Sequence, residues 1–245
     1  MRWGILRFPG SHGAQDLADA LVRVSGGQDQ ILFVEPTVKE LLGIDAIALP
    51  AGASFGDLPH AGQVAARTPV VAALRHFADG GGLVAGVGNG FRILCEAGLL
   101  PGRFRENACG HFVGRPVCVR VENVANPLAN RANAGDRLWI PIAVRYGAWA
   151  GEPGELESLE RNGRIVLRYD PASWASSGRT DPIGSQGGVA ALSNHRGNVV
   201  GTMVDPEYAA RRRTGGDSVA ADGNIVLESL RAWGVGSTAR ESSAR

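Results

Sequence analysis

The chain has 245 residues, of which 44% are hydrophobic and 20% charged, and its formal net charge is +1. This length accommodates one large domain with a sizeable core. The balanced charge argues against nucleic acid or an anionic membrane surface as the main partner. No apolar run reaches the roughly 18 to 20 residues that span a bilayer. The three cysteines lack metal-ligand spacing, which favours a reducing cytoplasm over a disulfide framework.

The first part of the chain alternates between predicted strands and predicted helices. A buried strand is predicted over 2–8, further strands over 31–35, 45–50 and 82–87, and helices over 16–24 and 68–78. This alternation predicts an α/β fold with a doubly wound, mostly parallel sheet. In such sheets the ligand sites lie beyond the carboxyl ends of the strands. The glycine-rich loops 50–57 and 86–90 fall at that edge.

The middle of the chain has a different character. Residues 115–123, 137–144 and 164–169 alternate between apolar and polar positions, which predicts an antiparallel extension of the sheet. Two further strands resemble a hairpin around 194–198, and a helix is predicted over 223–234. We therefore expect a single domain over 1–234 and a disordered tail over 235–245.

Residues 81–98 carry the most specific local pattern, an apolar strand followed by a sharp glycine turn and a helix. The sequence Gly86-Val87-Gly88-Asn89-Gly90 has the spacing of a nucleophile elbow, in which the middle residue presents a serine or cysteine. Here the middle residue is Gly88. The pattern predicts the turn but supplies no nucleophile.

Eight ordered segments resemble one family, the glutaminase subunits of phosphoribosylformylglycinamidine synthase, which are class I (triad-type) glutamine amidotransferases. They include LRFPGSHGAQD, GVGNGFRILCEAGLLPG and NHRGNVVGTMVDPE, and they run from about residue 2 to residue 231. The resemblance implies a flavodoxin-like fold and a cysteine–histidine–glutamate triad that releases ammonia from glutamine. It also implies as partners a large synthetase subunit, which holds ATP and Mg²⁺, and a small bridging subunit.

The triad positions that the family pattern implies are Gly88, Asp205 and Glu207 in this chain, so the cysteine and the histidine are absent and the glutamate remains. The family's Met-x-His-Pro-Glu segment is represented by residues 203–207. The resemblance further assigns the former glutamine pocket and oxyanion region to Ala51, Gly52, Asn89, Arg92, Val144 and Arg145. Four separate segments of the site therefore depart from the family, while the sequence between them still resembles it.

These departures predict that the chain does not hydrolyse glutamine. Loss of a triad nucleophile costs on the order of 10⁶-fold in turnover, and a glycine forms no acyl-enzyme. An aspartate, with a reference pKa of about 3.9, is mostly ionised at neutral pH unless its surroundings perturb it. We therefore expect a catalytically inactive subunit that supports an ATP-dependent synthetase supplied by another nitrogen donor.

Two alternatives remain open from the sequence. The pocket could bind a new ligand through Asp205, Glu207 and Arg92, or the chain could be an ordinary glutamine-dependent subunit. Arg92 and Arg145 are also candidates to form ion pairs with the two carboxylates.

Neither a substitute nucleophile nor a cofactor is evident in the sequence. Cys95 lies about 10 Å along the helix from Gly88, Cys118 alternates with strand residues, and Cys109 lies two residues from His111. The other histidines have no partner at ligand spacing, so no metal site is expected. The glycine run at 80–82 precedes a strand rather than opening a helix, so no phosphate loop and no ATP site are expected in this chain.

Overall fold

The computed structural model describes residues 1–56, 61–175, 181–210 and 222–243, and its largest element is a nine-stranded sheet. The strands are β1 (Arg2–Leu6), β2 (Gln30–Val34), β3 (Ala46–Leu49), β4 (Leu83–Val87), β5 (Arg103–Arg105), β6 (Val113–Val121), β7 (Arg137–Val144), β8 (Ala148–Ala150), β9 (Ile165–Tyr169), β10 (Val189–Ser193) and β11 (Val199–Thr202). The order in the large sheet is β2-β1-β3-β4-β11-β10-β9-β6-β7.

Five neighbouring strands, from β2 to β11 in that order, run parallel. Strands β3, β4 and β11 are buried along their whole length. Continuous apolar runs are expected where both faces of a parallel sheet are covered. The predicted doubly wound, mostly parallel sheet is confirmed.

The remaining four strands of the large sheet pair antiparallel, and β10 forms a hairpin with β11. Along β7 the buried residues alternate with more exposed ones, as in a strand with one covered face. The predicted antiparallel extension and the hairpin are confirmed. Strands β5 and β8 form a separate two-stranded sheet that was not predicted, because three residues are too few to show a period.

The helices are α1 (Ala14–Val24), α2 (Ala61–Ala66), α3 (Pro69–Asp79), α4 (Asn89–Glu96), α5 (Glu155–Arg161), α6 (Ala172–Ala175) and α7 (Gly223–Ser243). Helix α3 begins with a proline at its first position, where the missing N–H costs nothing. Helices α2, α5 and α6 were not predicted, because each has at most seven residues. No helix within the described ranges is long and apolar enough to cross a membrane.

Helix α7 extends beyond the end predicted for it at residue 234. The expected disordered tail over 235–245 is helical up to Ser243, and residues 244–245 lie outside the described residues. A Cβ atom on Gly234 would lie 2.2 Å from Cε of Met1, so this glycine allows close packing instead of ending the helix.

The order of the parallel strands places the candidate site. Strands β3, β4 and β11 are direct neighbours that run in the same direction, so their carboxyl ends meet at one edge of the sheet. Ala51 follows β3, Gly88 follows β4 directly, and Asp205 follows β11. Three segments that lie far apart in sequence are thereby brought together.

Candidate functional site

The turn between β4 and α4 has the geometry of a nucleophile elbow. Gly88 has φ 53° and ψ −113°, a backbone conformation that residues other than glycine rarely adopt. Its N–H donates to the carbonyl oxygen of Thr202 at 2.8 Å. A Cβ atom on Gly90 would lie 2.1 Å from the carbonyl oxygen of Leu49, so α4 packs directly against the end of β3. The predicted turn is confirmed, and it presents no side chain.

The neighbouring residues close tightly around Gly88. A Cβ atom built on Gly88 would lie 3.1 Å from Cβ of Ala51 and 3.2 Å from Oδ1 of Asp205. Both distances are shorter than ordinary carbon contacts in proteins. The space where a nucleophile would begin is therefore bordered by a methyl group and a carboxyl group.

Two acidic residues, Asp205 and Glu207, form what we call the buried acid pair, and they are only 2% and 3% exposed. The N–H of Asp205 donates to the carbonyl oxygen of Pro141 in β7 at 2.8 Å, and Glu207 lies in the short turn Pro206–Ala209. Oδ2 of Asp205 and both carboxyl oxygens of Glu207 are buried without a hydrogen-bond partner among the described residues. Burying unpaired carboxylates in this way is costly if they are ionised.

Burial therefore favours the protonated form of both carboxyl groups of the acid pair. Burial raises the pKa of Asp205 well above its usual range, and the charge of Glu207 raises it further, while a backbone hydrogen bond from Ala143 partly offsets both. Burial raises the pKa of Glu207 to about 8, with the nearby N–H group of its own backbone opposing the shift and the charge of Asp16 adding to it. Asp205 is therefore an aspartate whose surroundings keep it from being mostly ionised at neutral pH. A protonated carboxyl is not a base, and no thiol stands beside it.

Asp16 and Tyr208 also belong to this site, although the sequence alone did not identify them. The hydroxyl group of Tyr208 donates to Oδ2 of Asp16 at 3.2 Å, which joins α1 to the turn that carries Glu207. Burial, together with the charges of Glu207 and Asp16, raises the pKa of Tyr208. Asp16 falls within the LRFPGSHGAQD segment, but only the tertiary structure places it beside residues nearly 200 positions later.

Arg92 and Arg145, the candidates for ion pairs with the two carboxylates, make other contacts in the structure. The guanidinium group of Arg92, which is buried, lies 5.0 Å from the ring centre of Tyr146. Nε of Arg145 donates to Oε1 of Glu106 at 3.0 Å, on a more exposed part of the surface. No ion pair joins either arginine to the acid pair within the described residues, so the structure does not show the ion pairs for which these arginines were candidates.

The other predicted pocket residues lie around the elbow and at the end of β7. A Cβ atom on Gly52 would lie 2.8 Å from the backbone nitrogen of His12, so this loop needs glycine to pass close to the β1–α1 connection. Asn89, the first residue of α4, is buried, and neither polar atom of its side chain has a hydrogen-bond partner among the described residues. Val144 ends β7, and its carbonyl oxygen accepts a hydrogen bond from Asn107 at 2.9 Å.

No replacement nucleophile or metal cluster is found at the elbow in the part of the chain that the structure describes. Cys95 is buried, its thiol lies 3.3 Å from the carbonyl oxygen of Pro101, and burial raises its pKa. Cys118 is buried on β6. The described residues contain no group of three histidine, cysteine, aspartate or glutamate side chains that could hold a metal ion.

The sequence matches a known domain family and known proteins over most of its length. The CobB/CobQ-like glutamine amidotransferase domain matches residues 1–218. The chain is 39% identical to phosphoribosylformylglycinamidine synthase subunit PurQ of Moorella thermoacetica, covering 95% of this chain and 96% of that protein. It is 41% identical to the subunit of the same name from Thermus thermophilus, covering 85% of this chain and 90% of that one.

Solved structures agree with this similarity. A chain in the structure of PurLQS from Thermotoga maritima superimposes with a TM-score of 0.79 at 31% identity, covering 95% of this chain and 98% of that chain. The glutaminase domain of Trypanosoma brucei CTPS superimposes with a TM-score of 0.58 at 12% identity, covering 95% of this chain and 93% of that one. The second likeness concerns the fold alone.

Proposed function

Because the chain belongs to the family of phosphoribosylformylglycinamidine synthase glutaminase subunits within the glutamine amidotransferases, we propose that it is a subunit of such a synthetase that does not hydrolyse glutamine. It keeps the fold and the elbow of the family. The triad that the family resemblance implies is replaced by Gly88, Asp205 and Glu207, of which Glu207 alone matches that pattern.

The observation that carries the proposal is the surroundings of Gly88. The elbow retains its left-handed turn, yet the position of a Cβ atom there lies within 3.2 Å of Ala51 and Asp205. Without a thiol no acyl-enzyme forms, so the covalent route from glutamine to glutamate is absent. In the proposed subunit the former glutamine pocket residues, from Ala51 to Arg145, have a structural role in place of a catalytic one.

The partner that we propose is a large synthetase of the phosphoribosylformylglycinamidine synthase type. The similar proteins from Moorella thermoacetica and Thermus thermophilus are named as subunits of that synthase. In this assembly ATP and Mg²⁺ belong to the synthetase, and a small bridging subunit is a further candidate component. We assign no cofactor to this chain, and the proposed nitrogen donor is free ammonia or another amine.

The test is a nitrogen-donor competition on the purified complex. The chain is co-expressed with a synthetase of this type, and amidine formation is measured with glutamine or with an ammonium salt. We expect a stable complex, product from the ammonium salt and no glutamate released from glutamine. Glutamate release above that of buffer would overturn the loss of glutaminase activity, and failure to form a complex would overturn the role as a subunit.

The second candidate is an ordinary glutamine-dependent subunit of purine biosynthesis. It is favoured by similarity along nearly the whole chain to proteins named phosphoribosylformylglycinamidine synthase subunit PurQ. The same assay separates the two candidates, because this one requires stoichiometric glutamate formation. A family member that carries the elbow cysteine serves as the positive control.

A further inference from the structure

A tight turn over residues 107–110 holds a cysteine beside a histidine, apart from the acid pair. The N–H of Gly110 donates to the carbonyl oxygen of Asn107 at 2.8 Å, and Gly110 has φ 71°. Because the third and fourth residues of this turn lead directly into residue 111, Cys109 and His111 are held at a short distance from each other. The turn therefore restricts a thiol and an imidazole to one small region of the surface.

The side chain of Asn107, which is buried, fixes the turn to the end of β7. Its Nδ2 atom donates to the carbonyl oxygen of Val144 at 2.9 Å and to that of His111 at 3.0 Å. Its Oδ1 atom accepts from the N–H of Gly147 at 3.0 Å. All the hydrogen bonds of this amide serve to position the turn.

A second set of bonds fixes the other side of the turn. The N–H of Ala108 donates to the carbonyl oxygen of Ile183 at 2.9 Å, and the N–H of Cys109 donates to that of Pro182 at 3.1 Å. The backbone on both sides of the thiol is thus held in place. A rigid backbone lowers the entropy cost of keeping two side chains in contact.

The contact itself joins Sγ of Cys109 to Nδ1 of His111 at 3.5 Å. The same Nδ1 atom lies 3.2 Å from the carbonyl oxygen of Phe112, and Sγ lies 3.5 Å from the carbonyl oxygen of His111. In the thiol form the S–H group donates to the carbonyl of His111. In the thiolate form a protonated Nδ1 donates to both Sγ and the carbonyl oxygen of Phe112. The carbonyl of Phe112 therefore stabilises the pair of thiolate and imidazolium.

The other two cysteines of the chain differ from Cys109 in exposure and in chemistry. Cys95 and Cys118 are buried, and burial raises the pKa of both thiols. Cys109 is partly exposed, and the imidazole beside it is exposed. Reactive cysteines occur in accessible places near a proton acceptor, whereas buried ones are inert.

We propose that Cys109 and His111 form a reactive thiol–imidazole pair that is a site of reversible modification by low-molecular-weight disulfides. His111 takes the proton of the Cys109 thiol, and the resulting thiolate attacks one sulfur of the disulfide. A Cys109–sulfur bond forms and the disulfide bond breaks. The Cys109 sulfur is oxidised to a mixed disulfide, and the second sulfur leaves as a thiolate that receives the proton from His111. This inference is independent of the proposed function.

The test uses the full chain and two probes, oxidised glutathione and 4,4′-dithiodipyridine, under native conditions. We expect one fast-reacting thiol per chain, assigned by peptide mass spectrometry to Cys109 and absent in Cys109→Ser. His111→Gln should slow the reaction about fivefold to tenfold at pH 7. His195→Gln, which removes another exposed imidazole, is the matched control.

Two outcomes would overturn the pair. Equal rates for the wild type and His111→Gln at pH 7 would mean that Cys109 is merely exposed. A reaction rate no faster than that of free cysteine at the same pH would also contradict the proposal. Mass spectrometry of the wild type assigns the reactive thiol even if Cys109→Ser does not fold.

Discussion

Oδ1 of Asp205 lies 3.2 Å from the position that a Cβ atom on Gly88 would occupy. These residues are more than a hundred positions apart, and they meet because β4 and β11 are parallel neighbours. The contact couples two of the substitutions that the chain shows relative to the family pattern, those at Gly88 and Asp205. With Asp205 in this place, glycine is the residue that position 88 accommodates without displacement.

Gly88→Cys should therefore destabilise the chain without creating glutaminase activity. The new Cβ atom would press against Ala51 and Asp205 in a left-handed backbone conformation. Strain and overpacking together should cost about 2 to 4 kcal/mol in the free energy of unfolding. Urea unfolding measures the loss, and mass spectrometry of glutamate measures activity.

Gly98→Cys is the control for the backbone term in that experiment. Gly98 has φ 66°, and a Cβ atom there would have no neighbour within 4 Å. It should cost about 1 to 2 kcal/mol, as expected for a left-handed residue alone. Equal losses for the two variants would contradict the contact with Asp205.

A combined change of Ala51→Gly, Gly88→Cys and Asp205→His should restore slow glutamate release. It supplies a nucleophile and a base, and Ala51→Gly removes the shortest contact of the new Cβ atom. We expect a rate above that of buffer but far below that of an intact family member, because Val144, Arg92 and Arg145 are unchanged.

The three single variants of that set serve as controls, and none should release glutamate. Circular dichroism checks that the triple variant folds. A folded triple variant whose glutamate release equals that of buffer would mean that the surrounding pocket no longer binds glutamine.

The acid pair should make the chain less stable as pH rises. The pKa of Glu207 is about 8 in the folded chain and 4.5 in its usual environment. Between these values the folded state binds more protons than the unfolded state, so the free energy of unfolding falls with increasing pH. The stabilisation is complete below about pH 4.5 and is lost progressively up to pH 8, and Asp205 adds to it in the same direction.

Glu207→Gln tests this dependence. The free energy of unfolding of the wild type should fall between pH 5 and pH 8, and Glu207→Gln should remove on the order of 3 kcal/mol of that fall. Urea unfolding at several pH values measures it. Glu157→Gln, on the exposed surface of α5, should leave the slope unchanged. A wild-type stability that is constant or increases over this range would contradict the burial of a protonated pair.

Gly90→Ala should disrupt the attachment of α4 to β3. Its Cβ atom would lie 2.1 Å from the carbonyl oxygen of Leu49, a backbone atom that cannot move aside. We expect a loss of more than about 3 kcal/mol in the free energy of unfolding. Gly236→Ala in α7, where a Cβ atom would have no neighbour within 4 Å, should instead stabilise the chain by about 0.5 to 1 kcal/mol.

Much of the fold could be read from the sequence because its signals are local. Apolar runs such as residues 83–87, and glycines spaced for a sharp turn, predicted β4, the elbow and α4. Short elements such as α6 and β8 were missed, because three or four residues do not establish a period. The end of α7 was misplaced, because Gly234 serves a close contact with Met1 that no sequence pattern reveals.

The sequence by itself determined which chemical groups are present: no nucleophile at Gly88, and a carboxyl group at Asp205 in place of an imidazole. The tertiary structure alone decided what those groups do. In the folded chain Asp205 and Glu207 are buried together. Arg92 lies over the ring of Tyr146, and Arg145 pairs with Glu106. Residue identity is a local property, whereas burial and pairing depend on which distant segments the sheet brings together. The protonation of the acid pair therefore follows from the fold.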